Sequence, residues 1–348
     1  MNCCSNCFSS YYLTNIIDSD ANVGNCDFCK SNDVNIYNSE SLVFYLQGIV
    51  DLYELNPSGQ TIENAIESDF PNQIFSKKLG AKSKDLLKEI FKDVELDYKD
   101  LLEQKVSLSA HVNKGRKKKS GPLQVTWEEL AKELKYVNRF HLQNRVDLDK
   151  LERLLKRYGR TIKKGKKLYR SRLSDAAGYT ADKMKNPPSD LAKGGRANPD
   201  GISYLYLSNN EETTLYESRA TLFDYVSIGE FRLLEDIEII SLRGDFYDPI
   251  LLADNGELED FLIHQPFMND LEKNLSKPKR RSDNKLDYLP TQYLSEFIKS
   301  IGFDGIEFQS SLYEAGYNLA CFKPKLFDCI KVSVKEVHSL TLQHRSLI

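Results

Sequence analysis

Apolar and polar positions divide the chain into two textures. From Ser39 to about residue 160 apolar residues recur at helical spacing. SESLVFYLQGIVDLYEL (39–55), DLLKEIFKDV (85–94) and DYKDLLEQ (97–104) each predict a helix. Thr126-Trp127-Glu128-Glu129 has the Thr-x-x-Glu pattern of a capping box and predicts a further helix start. DLDKLERLLKRYGR (147–160) predicts an amphipathic helix stopped near Gly159. Beyond 160 the pattern turns to alternation with β-branched and aromatic residues. KLYRSRL (167–173), ISYLYLS (202–208), EIISLRG (238–244), GIEFQSS (305–311), NLACFKP (318–324) and KVSVKEV (331–337) predict strands. Only ETTLYESRATLFDY (212–225) and TQYLSEFIKSI (291–301) read as interleaved helices. Strands that do not alternate regularly with helices predict an α+β domain, not a doubly wound sheet.

Three blocks follow: a cysteine-bearing segment over 1–35, a helical domain over 36–160 and the α+β domain over 161–348. HVNKGRKKKSGP (111–122) interrupts the helical block and predicts a basic, solvated linker. The segment 153–172 holds ten basic residues in twenty, which reads first as a solvated helix end and loop, and secondly as a field that concentrates anions.

Composition narrows the function classes. The 348 residues are enough for two domains, and 28% charged with 41% hydrophobic residues is ordinary for a soluble globular chain. A net charge of −3 gives no reason to expect nucleic acid or a membrane surface as partner. The longest uncharged apolar run, residues 41–50, is far short of a bilayer span, and no secretory pattern opens the chain, so the expected compartment is the cytoplasm.

Five of the seven cysteines fall within the first 29 residues. Cys4-x-x-Cys7 and Cys26-x-x-Cys29 form two knuckles 18 residues apart, the spacing of a closed four-thiolate zinc site. Such a site staples a fold and leaves no coordination position for catalysis. Cys3 competes with Cys4 for the same role. Cys321 and Cys329 lie among apolar residues and read as small buried hydrophobes.

The common catalytic patterns are missing. The five histidines show no HxxxH or HExxH spacing, and there is no GxSxG elbow and no phosphate-binding glycine loop. What remains is Tyr169-Arg170, Arg196-Ala197-Asn198, Tyr204 and Tyr206, Glu217, and Ser310-Ser311. Arginines, aromatics and one carboxylate suit a substrate with phosphates, flat rings and a bond that breaks through a cationic transition state.

These residues resemble the RES domain, in order and in local context. The match runs through Lys167-Leu-Tyr-Arg170, Gly195 to Tyr206, Thr214-Leu-Tyr-Glu217, Gly302 to Ser311, and Gly316-Tyr-Asn318-Leu-Ala-Cys-Phe322. The knuckles and following helices resemble the N-terminal region, related to HEPN domains, that accompanies some RES domains. The resemblance implies a fold related to ADP-ribosyltransferases. It implies an enzyme that degrades NAD by hydrolysis or phosphorolysis of the nicotinamide–ribose bond, the activity of toxins in bacterial toxin–antitoxin pairs, with a role in antiphage defence as one setting. It names Arg196, Glu217 and Ser310 as catalytic, with Tyr169, Arg170, Asn198, Tyr206, Ser311 and Asn318 binding the dinucleotide. Expected partners are NAD, inorganic phosphate, an antitoxin or regulatory protein and a second copy of the chain. Two departures from the compact family pattern stand out: the long N-terminal region, and an insertion between Glu217 and Ser310. Two alternatives remain open, an ADP-ribosyltransferase acting on protein or nucleic acid, and a HEPN-type ribonuclease. RFHLQNR (139–145) lacks the arginine-to-histidine spacing that the ribonuclease needs.

Overall fold

The computed structural model describes residues 1–20, 22–94, 96–117, 125–142, 146–243, 247–278 and 284–339. The basic run from 118, the end of the segment 139–145 and His344 lie outside the described residues. The chain forms two compact units, one of Met1–Gly121 with Gly244–Pro266, the other of Pro122–Arg243 with Phe267–Ile348. No helix among the described residues is long and apolar enough to cross a membrane.

The first unit opens with a three-stranded antiparallel sheet in the order Asn2–Cys4, Val34–Asn38, Val23–Gly24. The helix Tyr11–Asp18 follows, capped by Ser10, whose Oγ accepts from the Leu13 amide at 3.1 Å. The helix expected over 39–55 ends earlier. A 3₁₀ turn (Ser39–Leu42) leads into Val43–Val50, and the chain then extends as a strand, Tyr53–Gln60, paired with Val106–Leu108. Pro57 is incompatible with a continuing helix, because it lacks an amide donor and clashes with the preceding turn. The expected linker also begins differently. Ala110–Lys117 is helical, with Val112 fully buried. Arg116 in this helix donates to Asp69 Oδ1 (3.0 Å), Gln265 Oε1 (2.9 Å) and the Leu262 carbonyl (3.0 Å). Part of the basic run is therefore a half-buried anchor, not a solvated charge.

The second unit is an α+β domain built on an eight-stranded mixed sheet. Its strands are β1 (Gly159–Ile162), β2 (Lys167–Ser174), β3 (Leu205–Ser208), β4 (Tyr225–Leu233), β5 (Ile237–Ser241), β6 (Gly305–Gln309), β7 (Tyr317–Cys321) and β8 (Phe327–Glu336). The spatial order is β8-β4-β2-β3-β7-β6-β5-β1, and only β5 and β6 run parallel. The helices that matter for the site are α1 (Trp127–Tyr136), α2 (Glu211–Ser218), α3 (Leu258–Ser276) and α4 (Leu289–Ser300). The capping box at α1 forms as its spacing predicts: Thr126 Oγ1 accepts from the Glu129 amide at 3.2 Å, and Glu129 accepts in return from the Thr126 amide at 3.1 Å.

One face of the sheet buries Leu168, Leu207, Phe231, Ile239 and Leu319 together with Cys321 and Cys329, so both late cysteines are core residues. Glu307 on β6 is fully buried and carries charge into the sheet. It accepts from Arg160 Nε (3.1 Å) and Nη2 (2.5 Å) on β1 and from Ser241 Oγ (2.9 Å) on β5. Arg243 Nη1 lies 3.7 Å away.

Between β2 and β3 the sheet nearly parts. β2 pairs with β4 along its whole length, and β3 with β7 along four residues, but β2 and β3 meet only at Tyr169 and Ser208. Two half-sheets joined by one bridge leave a seam, and the candidate site lies along it.

Candidate functional site

Glu217 sits in the last turn of α2 on a helix defined by polar ties, not by an apolar stripe. Asn210 caps it, accepting from the Thr213 amide at 2.7 Å. Thr214 Oγ1 accepts from the Ser171 amide (2.8 Å), and Ser171 Oγ donates to the Thr214 carbonyl (2.5 Å), locking α2 onto β2. A helix running on to Tyr225, as expected for 212–225, would put Leu215 and Leu222 on one buried side. The buried residues are instead Thr213 and Thr214, and Leu222 is largely exposed. The helix stops at Ser218 because Arg219 takes the left-handed conformation (φ 53°), and Tyr225 already opens β4.

This placement directs the Glu217 carboxylate at two buried donors. Ser310 Oγ donates to Glu217 Oε1 at 2.8 Å, and Asn318 Nδ2 donates to the same oxygen at 2.8 Å. Asn318 is held in turn: its Oδ1 accepts from Ser208 Oγ at 2.7 Å, which fixes the amide so that the nitrogen faces Glu217. Ser310 follows β6, and its amide donates to the Gly316 carbonyl at 2.8 Å. A side chain at Gly316 would place Cβ 2.2 Å from Thr213 Oγ1, so the turn closes tightly against α2 only with glycine there.

Glu217, Asn318 and Ser208 line a cavity of about 510 Å³ together with Arg170, Arg196 and Tyr206. That volume is in the range of small-molecule and cofactor sites. Arg170, on β2 beside the seam, has a buried Nη1 with no hydrogen-bond partner among the described residues. Burial, aided by the neighbouring charge of Arg172, lowers its pKa to about 10, with Tyr206 opposing. It remains a cation at neutral pH, and it lines the same cavity as the Glu217 carboxylate. Such a group is a natural partner for a phosphate oxygen.

The loop before β3 is built around Asn198. Its Nδ2 donates to the carbonyls of Ile202 (2.8 Å), Lys193 and Pro199 (both 3.2 Å), and its Oδ1 accepts from Tyr206 OH at 2.7 Å. Gly195 is needed for that contact, since a Cβ would lie 2.9 Å from Asn198 Oδ1. Asn198 thus shapes the cavity without lining it, and it fixes Tyr206, whose hydroxyl pKa is raised by burial. Arg196 reaches the cavity from the same loop. Its Nη1 donates to the Asn274 carbonyl (3.3 Å) and Nη2 to the Pro278 carbonyl (3.2 Å), with the guanidinium 4.8 Å from the Tyr288 ring centre.

The remaining expected site residues lie apart from the cavity wall. Tyr169 occupies the bridge to Ser208. Ser311 and Ser310 line a second cavity of about 690 Å³, which shares Ser276, Lys277 and Pro278 with the first. Ser311 Oγ donates to the Ser276 carbonyl at 2.5 Å. Tyr204 is a core residue packed on Phe322 at 4.7 Å. Sequence reasoning missed Ser208, Ser171 and Thr214, which position the named residues. Ser208 was findable, two residues past Tyr206 on the same strand face. Nothing in the sequence marked residues 275–278 as a wall of the site.

In the first unit, Cys4, Cys7, Cys26 and Cys29 bring four Sγ atoms within 4.8 Å of one another. Cys4 and Cys29 are 3.4 Å apart, as are Cys7 and Cys26. Tetrahedral zinc with Zn–S of about 2.3 Å needs sulfurs roughly 3.8 Å apart, so the four thiols are near enough to one another to hold such an ion. The Cys29 amide points at Cys26 Sγ (3.4 Å), the backbone contact that stabilises a thiolate. Cys3 is excluded from the cluster, because it alternates with Cys4 on the strand and its Sγ turns to the Tyr37 carbonyl.

The family model of the RES domain matches residues 167–343. No curated protein matches the chain. Among solved structures, one described as the crystal structure of the M. tuberculosis MbcT-MbcA toxin-antitoxin complex aligns at 13% identity over 53% of this chain and 92% of that one, with a TM-score of 0.31. A crystal structure of an anti-CRISPR protein aligns at 11% identity over 51% and 96%, with a TM-score of 0.21. Both scores are too low to establish a shared fold.

Proposed function

The chain belongs to the RES-domain family, and from that premise we propose that its cavity binds NAD and cleaves the nicotinamide–ribose bond. The observation that carries this reading is the convergence of Ser310 Oγ and Asn318 Nδ2 on one oxygen of Glu217, in the cavity that also presents the unpartnered guanidinium edge of Arg170.

The chemistry follows from charge. In NAD the nicotinamide nitrogen is already cationic, so the C1′–N bond breaks with its electron pair passing to nicotinamide, and no general acid is required. Positive charge then builds on the ribose as an oxocarbenium ion. Glu217, held rigid by two donors on Oε1, keeps Oε2 free of those bonds to stabilise that charge or the ribose hydroxyl beside it. Arg170 and Arg196 would take the pyrophosphate, Arg170 from a buried position where a phosphate oxygen supplies the missing acceptor. Water or inorganic phosphate then adds an oxygen to C1′ and loses a proton, giving ADP-ribose or ADP-ribose 1″-phosphate.

We place a structural zinc ion on Cys4, Cys7, Cys26 and Cys29, where closed coordination stabilises the small sheet of the first unit and supplies no chemistry to the cavity. A soluble, cytoplasmic toxin-like enzyme under the control of an antitoxin or a regulatory protein is the setting in which such an activity fits.

The direct test is incubation of the purified chain with NAD, with and without phosphate, beside Glu217→Ala and Arg196→Ala, with products resolved chromatographically. ADP-ribose is expected without phosphate, and the 1″-phosphate if phosphorolysis operates. Intact NAD under every condition, with a folded protein, overturns the reading.

A further inference from the structure

The end of α3 touches the site in a way that NAD cleavage does not require. Its last carbonyls have no helical amide left to accept from, and they sit at the negative end of the helix dipole. Pro278 ends the run, since it can neither donate nor continue the helix. The chain from Asn274 to Pro278 spends these carbonyls on two residues of the candidate site. Asn274 and Pro278 accept from Arg196, and Ser276 accepts from Ser311. Leu275, Ser276, Lys277 and Pro278 also form a wall of the Glu217 cavity, and the last three face the second cavity as well. The strap is tied down from its own helix: Ser276 Oγ donates to Glu272 Oε1 at 2.6 Å, Asn274 Nδ2 to the Asp270 carbonyl at 2.7 Å and the Lys277 amide to the Lys273 carbonyl at 3.1 Å.

We infer that Asn274–Pro278 is an internal latch that occupies Arg196 and Ser311 in the free protein and is displaced by a ligand carrying a pyrophosphate. The inference rests on the cavity being a dinucleotide site and adds which part of the substrate opens it. Single contacts of 3.2 and 3.3 Å to neutral carbonyls lie at the long end of N–H···O hydrogen bonds. Two phosphate oxygens offer a guanidinium shorter, charge-assisted, bidentate bonds than these two carbonyls do, so an anion competes with the strap for Arg196. A nucleoside or free nicotinamide brings no such competitor and leaves the latch closed. Because the same three residues wall both cavities, their displacement joins the two spaces beside Ser310.

Hydrogen exchange of the full chain, followed by mass spectrometry, tests this with ADP-ribose, adenosine and nicotinamide as probes. ADP-ribose is expected to protect the peptides covering 195–217 and to accelerate exchange at 274–277, while the two neutral probes leave 274–277 unchanged. Protection of both regions would make the strap a fixed wall and overturn the latch. Acceleration by adenosine would overturn the pyrophosphate requirement. No response at 195–217 would instead remove the dinucleotide reading itself. As a second measurement, Glu272→Ala with Asn274→Ala loosens the strap and leaves Arg196, Ser311 and Glu217 in place. Loss of two such ties is expected to lower KM for NAD by about fivefold with kcat unchanged; an unchanged or raised KM counts against the latch.

Discussion

Ser310 Oγ donates to Glu217 Oε1 across 93 residues of chain, at 2.8 Å, so the carboxylate that lines the first cavity is oriented by a hydroxyl that lines the second. Asn318 completes the grip on the same oxygen. Glu217→Ala should therefore lower kcat for NAD cleavage by on the order of 10²- to 10³-fold, the cost of removing one preorganised charge-stabilising group. Ser310→Ala, which leaves the carboxylate present but less constrained, should lose on the order of tenfold. A steady-state assay of both variants checks the order. Equal losses would mean that Ser310 does more than hold Glu217.

Arg170 gives a prediction with opposite signs for stability and function. A base whose pKa is pulled down by burial lowers stability, and that cost is present in full at every pH below about 10. It lifts only as pH climbs from there towards the ordinary arginine value. Arg170→Met should thus raise stability at neutral pH by about 1 kcal/mol while abolishing tight NAD binding. Thermal melts with and without ADP-ribose read both effects, and the ligand-induced rise in Tm should vanish in the variant.

The thiol cluster sets a third test. Metal analysis should find one zinc per chain, and a strong chelator should unfold the first unit, seen as loss of its cooperative melting. Cys26→Ser should reproduce that loss, whereas Cys3→Ser should keep the zinc, since Cys3 Sγ faces the Tyr37 carbonyl. Zinc content unchanged in Cys26→Ser would show that the four sulfurs are not the ligand set.

Glu307 is a stability determinant distinct from the reaction. Glu307→Ala leaves Arg160 without its main partner inside the sheet, and should cost about 3 kcal/mol in denaturant unfolding. Replacing both residues with apolar ones of similar volume should recover most of that loss, because an intact buried ion pair adds little over good packing.

How far the sequence foretold this site depends on the kind of interaction. Strands β2, β3, β5, β6, β7 and β8 announced themselves through alternation, and the capping box at Thr126 through its spacing, because both are local. The strand Tyr225–Leu233 was concealed by reading α2 onward through Leu222, whereas residues 219–224 separate them, with left-handed turns at Arg219 and Phe223. The linker at 111–122 hid a helix whose Arg116 finds its partners at Asp69, Leu262 and Gln265, far along the chain. Motif order brought Arg170, Arg196, Tyr206, Glu217, Ser310 and Asn318 into view. It could not separate a cavity-lining asparagine (Asn318) from one that folds its own loop (Asn198), since that choice is made by carbonyls without sequence signature. The wall at 275–278 was invisible for the same reason.

The single bridge between Tyr169 and Ser208 has a mechanical meaning. A molecule that reaches from Arg170 on one half-sheet to Asn318 on the other acts as a cross-brace over the weakest joint in the domain, and binding of any ligand to the native state adds to its stability. Any ligand that spans the two, NAD and ADP-ribose alike, would hold the half-sheets together, and the domain would be least braced when the cavity is empty.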